Sequence, residues 1–363
     1  MQLENLKKLK SEENIIKELS QLPPSLSELY GKIYGHMSET DTFEVAVKAL
    51  RLLACSRKFI TTSSFLMAVC TPHQKPINPE SLLDYCSNLI VEDKALDIFR
   101  FAHLSVREYL ETRDDFTPSD THAVAAEICL TSITKARIGA RDRMTPPSAE
   151  QSLNGIFEYA TMFWPVHCGF SGQKRKVPPL APPISSFIMQ RRVSNSFTKW
   201  MDDARTLAKS LGALDPLGRK LGHCFCSPPN PFFLACAFGL SEVVERSNMA
   251  VTERSESGLG GLHLASLYGH EEVVRILLGK GADADSRDTY GRTPLFYSTE
   301  KGYSKVIQVL LDHDKDIEIS PEILLHAAYT VSGEQEDNIF ELLLSRDGKF
   351  DISREVLLAA VSK

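Results

Sequence analysis

The sequence predicts a mostly α fold: a helical domain carrying one small β-hairpin, a helical middle region, and a helical-repeat solenoid at the C-terminal end. Three observations predict it. Apolar residues recur at helical spacing behind good helix-start residues through the first third of the chain. A single pair of short strand-like runs, LIVED and LDIFRF, flanks a turn at Lys94. The last third repeats itself with an offset of 33 residues, so that Gly258 meets Gly291 and Leu278 meets Leu311.

Residues 1–22 read as a terminal helix of a preceding region. Ser11 is a good N-cap, Glu12 and Glu13 fill the first turn, Ile15, Ile16, Leu19 and Leu22 share a face, and Pro23 and Pro24 stop it. Residues 23–115 form the next domain. Leu26, Leu29, Tyr30 and Ile33 mark one helix and Phe43, Val47, Leu50 and Leu53 a second; Thr61 caps a third through Phe65 and Val69. Asn78, followed by Pro79 at the first helical position, starts a fourth that ends near Leu89. Helices followed by a hairpin is the layout of a winged helix. The candidate recognition helix PESLLDYCSNL carries Glu80 and Asp84 and no lysine or arginine, whereas a major-groove reader needs cations and base-edge donors. The expectation is a winged helix that packs against protein.

Residues 116–225 read as a helical linker region. Helices are expected over 123–133, 153–163 and parts of 187–211, interrupted by the proline-rich loop KVPPLAPPI, with Trp164 and Trp200 in a core. The basic run QKRK (173–176) is expected to be a solvated loop rather than a nuclear address. His223, Cys224 and Cys226, with His167 and Cys168, invite a zinc reading. The alternating CFC and the prolines that follow argue against it, because zinc sites pair cysteines as CxxC knuckles. No metal ligand is assigned.

Composition is that of ordinary globular protein, 43% hydrophobic and 24% charged. A net charge of -6 supplies no global attraction to nucleic acid or anionic membrane. The opening MQLENLKKLKSEEN is too polar for a secretory signal, and no apolar run approaches the roughly 18 residues of a membrane helix. The expected compartment is therefore the cytoplasm or the nucleus, with the eight scattered cysteines reduced.

Within residues 226–363, GLGGLHLASLYGHEEVVRILLGKGAD (258–283) aligns with GRTPLFYSTEKGYSKVIQVLLDHDKD (291–316), PFFLACAFGLSEVV (231–244) is a shorter upstream copy, and ISREVLLAA (352–360) echoes ISPEILLHA (319–327). This pattern resembles the ankyrin repeat closely. Small Ala265 and Ser266 allow helices to stack, and Gly281 supplies a positive-φ turn for which Asp314 substitutes at some cost. The family's TPLH tetrapeptide is divided: the first copy keeps His263 without the threonine, the second keeps Thr293 without the histidine. The chain stops at LLAAVSK without a polar terminal cap, which reads as a truncation of the array.

The stretches 2–34, 49–69 and 82–110, joined to this array, resemble the rear part of a NACHT-type STAND protein of the fungal kind. The resemblance implies a nucleotide-operated switch in which the winged helix holds a NACHT domain closed and the repeats sense a ligand. Through the FxHxSxQEF-like motif it implies that His103 reaches a nucleotide phosphate, with Ser105, Glu108 and Leu110 matching and Arg107 where glutamine is usual. The cradle for that nucleotide is absent from this sequence. GFSGQKRK lacks the spacing of a GxxxxGK[ST] loop, and GALDPLGRK has five intervening residues and Arg219 in the lysine position. ADP or ATP would accordingly concern only a longer parent protein, and within this chain His103 is expected to cap or pack at a helix start.

Neither GxSxG nor HExxH occurs, and no acid/base pair is placed by spacing, so no catalytic residue and no cofactor is assigned. The leading expectation is a non-enzymatic protein-protein interaction and regulatory module that binds a protein partner, not nucleic acid or membrane. Its contacts are expected at the repeat tips, Arg287, Asp288, Tyr290 and Arg292, and on the concave helix faces. The alternatives are a fragment of a NACHT NTPase of non-self recognition or programmed cell death, and a winged-helix DNA-binding regulator.

Overall fold

A computed structural model describes residues 25–70, 76–139, 147–188, 194–212, 214–314, 316–330 and 339–344. The expected helix at 1–22 and the echo at 352–360 lie outside them. The chain divides into two units, one within Met1–Ile128 and Asp142–Ile156, the other within Cys129–Arg141 and Phe157–Lys363.

In the first unit the helix starts at Thr61 and Asn78 follow the sequence signals. Ser25 caps α1 (Leu26–Ser38), accepting from the Glu28 amide. After α2 (Phe43–Cys55), Thr61 caps α3 (Thr62–Val69) through the Ser64 amide, and Asn78 caps α4 (Pro79–Tyr85) through the Ser81 amide. Ser87 and Asn88 then turn through positive φ into β1 (Ile90–Asp93), which pairs antiparallel with β2 (Ile98–Phe101) in the register Ile90↔Phe101 to Asp93↔Ile98. The residue before α3 also joins this sheet, since Thr61 bridges Ile98. Helix α5 (Leu104–Glu111) follows. Leu50, Leu52, Phe65, Leu82, Cys86, Ile90, Val106 and Leu110 form the core, each no more than 2% exposed. Phe65 and Phe99 meet with ring centroids 5.3 Å apart, tying α3 to the hairpin.

Helices α6 (Pro118–Gly139) and α7 (Pro147–Phe170) are both longer than their apolar spacing indicates. Beyond them, in the second unit, come α8 (Ala181–Ile188), α9 (Asn195–Leu211) and α10 (Pro216–Cys224). Trp164 and Trp200 are core residues as expected, 5.4 Å apart edge to face, with Phe187 and Phe197 completing the cluster. Two expectations need correction. Part of the proline-rich stretch is helical: Pro182 and Pro183 lie in the first turn of α8, where the missing amide has no intrahelical role. The basic run is solvated at Gln173, Lys174 and Lys176, as expected, but not at Arg175. It forms a short 3₁₀ turn, Gly172–Lys176, and Arg175 is 5% exposed. Its Nε donates to both carboxylate oxygens of Glu242 at 2.8 Å, and Nη2 donates to the Gly239 carbonyl at 2.8 Å. The hydrogen bonds, not solvent, compensate the buried charge.

Four helix pairs follow: α11 (Pro231–Phe238) with α12 (Ser241–Arg246), α13 (Gly261–Leu267) with α14 (Glu271–Gly279), α15 (Pro294–Glu300) with α16 (Ser304–His313), and α17 (Pro321–Thr330) with α18 (Ile339–Leu344). The first helices of the pairs stack in one row, and α12, α14 and α16 stack in another. Gly239, Gly269 and Gly302 occupy equivalent corners at φ 73, 75 and 76. Two of these corners have no room for a side chain: a Cβ on Gly239 would lie 2.6 Å from His270 Nδ1, and one on Gly269 would lie 2.8 Å from Tyr303. His270 Nε2 meets the Ala237 carbonyl at 2.7 Å, linking one repeat to the previous one. Asp314 departs from expectation. It is extended, at φ -126, so it avoids the left-handed strain, and its side chain accepts from the Asp316 amide at 2.9 Å. The two halves of the divided tetrapeptide act at one junction: Thr293 caps α15 through the Phe296 amide, and His263 Nε2 lies 3.2 Å from the carbonyl of the neighbouring Arg292.

Two outcomes follow for stability. Arg175→Ala leaves Glu242 charged and buried, and is expected to destabilise the second unit by about 3–5 kcal/mol in urea unfolding monitored by tryptophan fluorescence. Replacing both residues by leucine should recover much of this, less the share due to the Gly239 carbonyl. Burial pushes His263 and His270 down to about 4, so both are neutral in the fold. Their contribution is complete above the ordinary histidine value of about 6.5 and is lost as pH falls toward 4. The melting temperature of the second unit should therefore drop across that window, and His270→Gln should flatten the drop.

Candidate functional site

In the second unit the turn preceding α15 is organised by one carboxylate. Asp288 accepts from the Tyr290 amide at 2.8 Å, the Arg292 amide at 2.9 Å, Arg292 Nε at 3.2 Å and the Tyr297 hydroxyl at 2.5 Å. Burial alone would raise its pKa; these hydrogen bonds, led by Tyr297, outweigh burial and hold it below the usual carboxylate range. The Tyr297 phenol is pushed up in turn, by burial and then by the carboxylate beside it. Arg292 is thereby fixed in place, its guanidinium carbon 4.7 Å from the Tyr290 ring centre and 4.9 Å from that of Tyr297.

Arg292 and Tyr290 face a groove of about 790 Å³. It is lined by the turns at 255–259 and 289–292, by Tyr268, Glu300 and Lys301 at the ends of α13 and α15, and by Pro216, Arg219 and His223 of α10. Helix α10 is held against the repeats. His223 Nδ1 lies 2.9 Å from the Tyr268 hydroxyl, and Lys220 Nζ sits 4.2 Å from the Tyr268 ring centre and 4.4 Å from that of Phe238. Burial, together with Arg219 and Arg292, lowers the pKa of His223. A second hollow of about 620 Å³ shares Arg219, His223 and Glu256 with the groove and adds Arg205 and Lys209.

The four residues expected to contact a partner are thus placed differently from one another. Tyr290, 78% exposed, and Arg292 line the groove. Arg287 is exposed but is engaged with Glu318 and with the Gly291 carbonyl at 3.2 Å. Asp288 is buried, holding the turn and pairing with Arg292 at 3.1 Å. The wall formed by α10 was missed. Its stretch was read only as a failed phosphate loop and a failed zinc site, although Asp215 and Pro216 signal a helix start and put Arg219 and His223 on one face at i and i+4. The thiols of that zinc reading have other partners, Cys224 donating to the Lys220 carbonyl and Cys226 to that of Asn230.

His103, in the first unit, is the N-cap of α5. Its Nδ1 accepts from the Ser105 amide at 3.2 Å and lies 2.8 Å from Ser105 Oγ, which in turn is 2.8 Å from the Tyr30 hydroxyl. Accepting through Nδ1 puts the ring proton on Nε2, and the residue is exposed. Arg107, where the STAND resemblance has glutamine, pairs with Glu111 at 2.8 Å on the outer face of the helix.

With this geometry in hand, the comparisons with known proteins bear on the second unit. Residues 232–321 and 262–355 match the family model of ankyrin repeats, and these residues are ankyrin repeats. The chain is 30% identical over 129 residues to the B-cell lymphoma 3 protein homolog of Mus musculus, which covers 35% of this chain and 28% of that protein. It is 40% identical over 68 residues to Rabankyrin-5 of Mus musculus, 19% of this chain and 6% of the relative. The chain thus spans well under two thirds of either relative. The crystal structure of the human ASB11 ankyrin repeat domain matches 36% of this chain and 62% of its own at 21% identity, with a TM-score of 0.30. Such repeats make this part of the chain a protein-protein interaction module. No helix among the described residues is long and apolar enough to cross a membrane.

Two substitutions check the local roles. Asp288→Ala should lower the melting temperature and loosen Arg292, because it removes four hydrogen bonds from one buried acceptor. His103→Ala should cost about 0.5–2 kcal/mol as a lost cap in urea unfolding of the first unit, and His103→Asn should restore most of it.

Proposed function

We propose that the chain is a non-enzymatic interaction and regulatory module of a STAND-type signalling protein, whose protein partner binds the groove between the repeat turns and α10. The carrying observation is that groove: exposed Tyr290 and braced Arg292 stand over a concavity of about 790 Å³ built on repeats of an interaction family. A rigid aromatic and a pre-fixed arginine are the side chains that contribute most at interfaces, since little rotamer entropy remains to be lost on binding.

In this reading residues 23–115 are the winged-helix regulatory domain, 116–225 the helical region that precedes the array, and 226–363 the repeats. The order helix, bridged residue, helix, helix, hairpin in the first unit supports the winged helix. The acidic residues Glu80 and Asp84 on α4 weigh against DNA as its ligand. His103 acts as a cap in this chain and would meet ADP or ATP only in a longer parent with a NACHT domain. The cytoplasm, or the nucleus, is the proposed compartment.

The test is selection of a displayed random-peptide library on the full chain, with Tyr290→Ala as the counter-target. Peptides that bind the wild type and lose affinity on the variant are expected; binders indifferent to Tyr290, or none, would sink the groove reading. Alongside it, the purified chain is expected neither to bind fluorescent ADP nor to hydrolyse ATP; hydrolysis would overturn the non-enzymatic assignment, and binding would overturn the restriction of nucleotide to a longer parent.

A further inference from the structure

We infer that the groove's partner is an uncharged, proline-rich segment bound as a polyproline II helix; this rests on the reading of the groove as the partner site. The first observation is that the charges of the lining are already matched. Arg292 pairs with Asp288 at 3.1 Å, Lys301 with Glu300 at 3.1 Å and Glu256 with Arg205 at 2.8 Å, and Arg219 is engaged as well. A charged segment would bury its charges there without a counter-charge, or would have to break these pairs. An uncharged one disturbs none of them. The second observation is the apolar surface that the lining leaves open. Arg292 lies against the Tyr290 ring, 4.7 Å from its centre, yet Tyr290 stays 78% exposed, so ring surface remains for a ligand beside Pro216 of α10.

One neutral donor accompanies that surface. Burial keeps the Tyr268 phenol protonated and, with Arg219 and Arg292, keeps the His223 imidazole uncharged. His223 Nδ1, at 2.9 Å, is the hydrogen-bond partner of the Tyr268 hydroxyl among the described residues, so the hydroxyl donates, Nδ1 accepts, and the ring proton sits on Nε2. Nε2 has no hydrogen-bond partner among the described residues, which leaves the lining a fixed donor for a carbonyl oxygen. These features select the backbone form. A segment bound as a β-strand must satisfy its amides as well as its carbonyls, and the second unit has no strand among the described residues to pair with it. A polyproline II segment has no internal hydrogen bonds and its prolines carry no amide, so it asks only for donors to its carbonyls and for apolar surface. Its rings pack on aromatic side chains, and its conformation is set before binding, so little entropy is lost.

The random-peptide selection supplies the test, because its winners can be sequenced. Groove-dependent winners should be uncharged and enriched in proline, and their affinity should vary by less than about twofold between low and high NaCl. A fluorescein-labelled oligoproline should bind the full chain more tightly than a glycine-serine peptide of equal length. It should lose about tenfold in affinity on Tyr290→Ala, and a similar factor on His223→Phe, which keeps a ring but no donor. Tyr290 is exposed, so an unchanged melting curve is expected for Tyr290→Ala; that variant serves alone if His223→Phe fails to fold. Groove-dependent winners that carry net charge or lack proline would overturn the inference and leave the groove reading standing. So would an oligoproline held no better than the glycine-serine control, or full affinity on a folded His223→Phe. Winners that ignore Tyr290 would remove both.

Discussion

A pair of short helices cannot bury its own apolar stripe, and the second unit is organised around that constraint. The inner helices α11 and α13 are buried nearly all round: every residue but the leading Pro231 is buried. Stability at each level therefore comes from the neighbour. In the middle of the array the neighbour is another repeat, docked through a glycine corner and a histidine or tyrosine that fills it. At the front it is the non-repeat helix α10 and the 3₁₀ turn that carries Arg175. That guanidinium does at the first repeat what repeat-to-repeat hydrogen bonds do elsewhere, satisfying the Gly239 carbonyl at the end of α11 and the Glu242 carboxylate at the start of α12.

The groove is a by-product of the same arrangement. Because α10 lies against α11 and covers it, Arg219 and His223 are carried into the same lining as the repeat turns. Because the turn at 287–292 must be closed before α15 can begin, Asp288 is buried and Arg292 is held by it. Roles are thus divided within a few residues: the buried carboxylate holds the turn, while the guanidinium and Tyr290 line the groove. The first unit shows the same economy at His103, where one ring nitrogen closes a helix and the other faces outward.

Much of this was legible before any coordinates. Asn78-Pro79 and Thr61 started helices where capping chemistry demands, and the hairpin formed around the turn expected at Lys94. The 33-residue offset located the repeats because stacking against identical neighbours imposes one pattern on each copy. Where the reading failed, the cause was a partner distant in sequence. Nothing near QKRK announces that Glu242 will neutralise Arg175, 67 residues on. A charge run looks solvated until the tertiary fold supplies the counter-charge.

What the sequence determined by itself was the local chemistry: which segments are helices, where they begin, how often the array repeats, and the absence of a phosphate loop, because each depends on residues within one turn or one period. Only the tertiary structure decided which charges are buried and which are presented, that Asp288 braces while Arg292 faces the groove, that Asp314 escapes positive φ, and that α10 walls the groove. Those outcomes depend on distances between residues tens of positions apart, and neither burial nor a shared cavity is a property of any one stretch of chain.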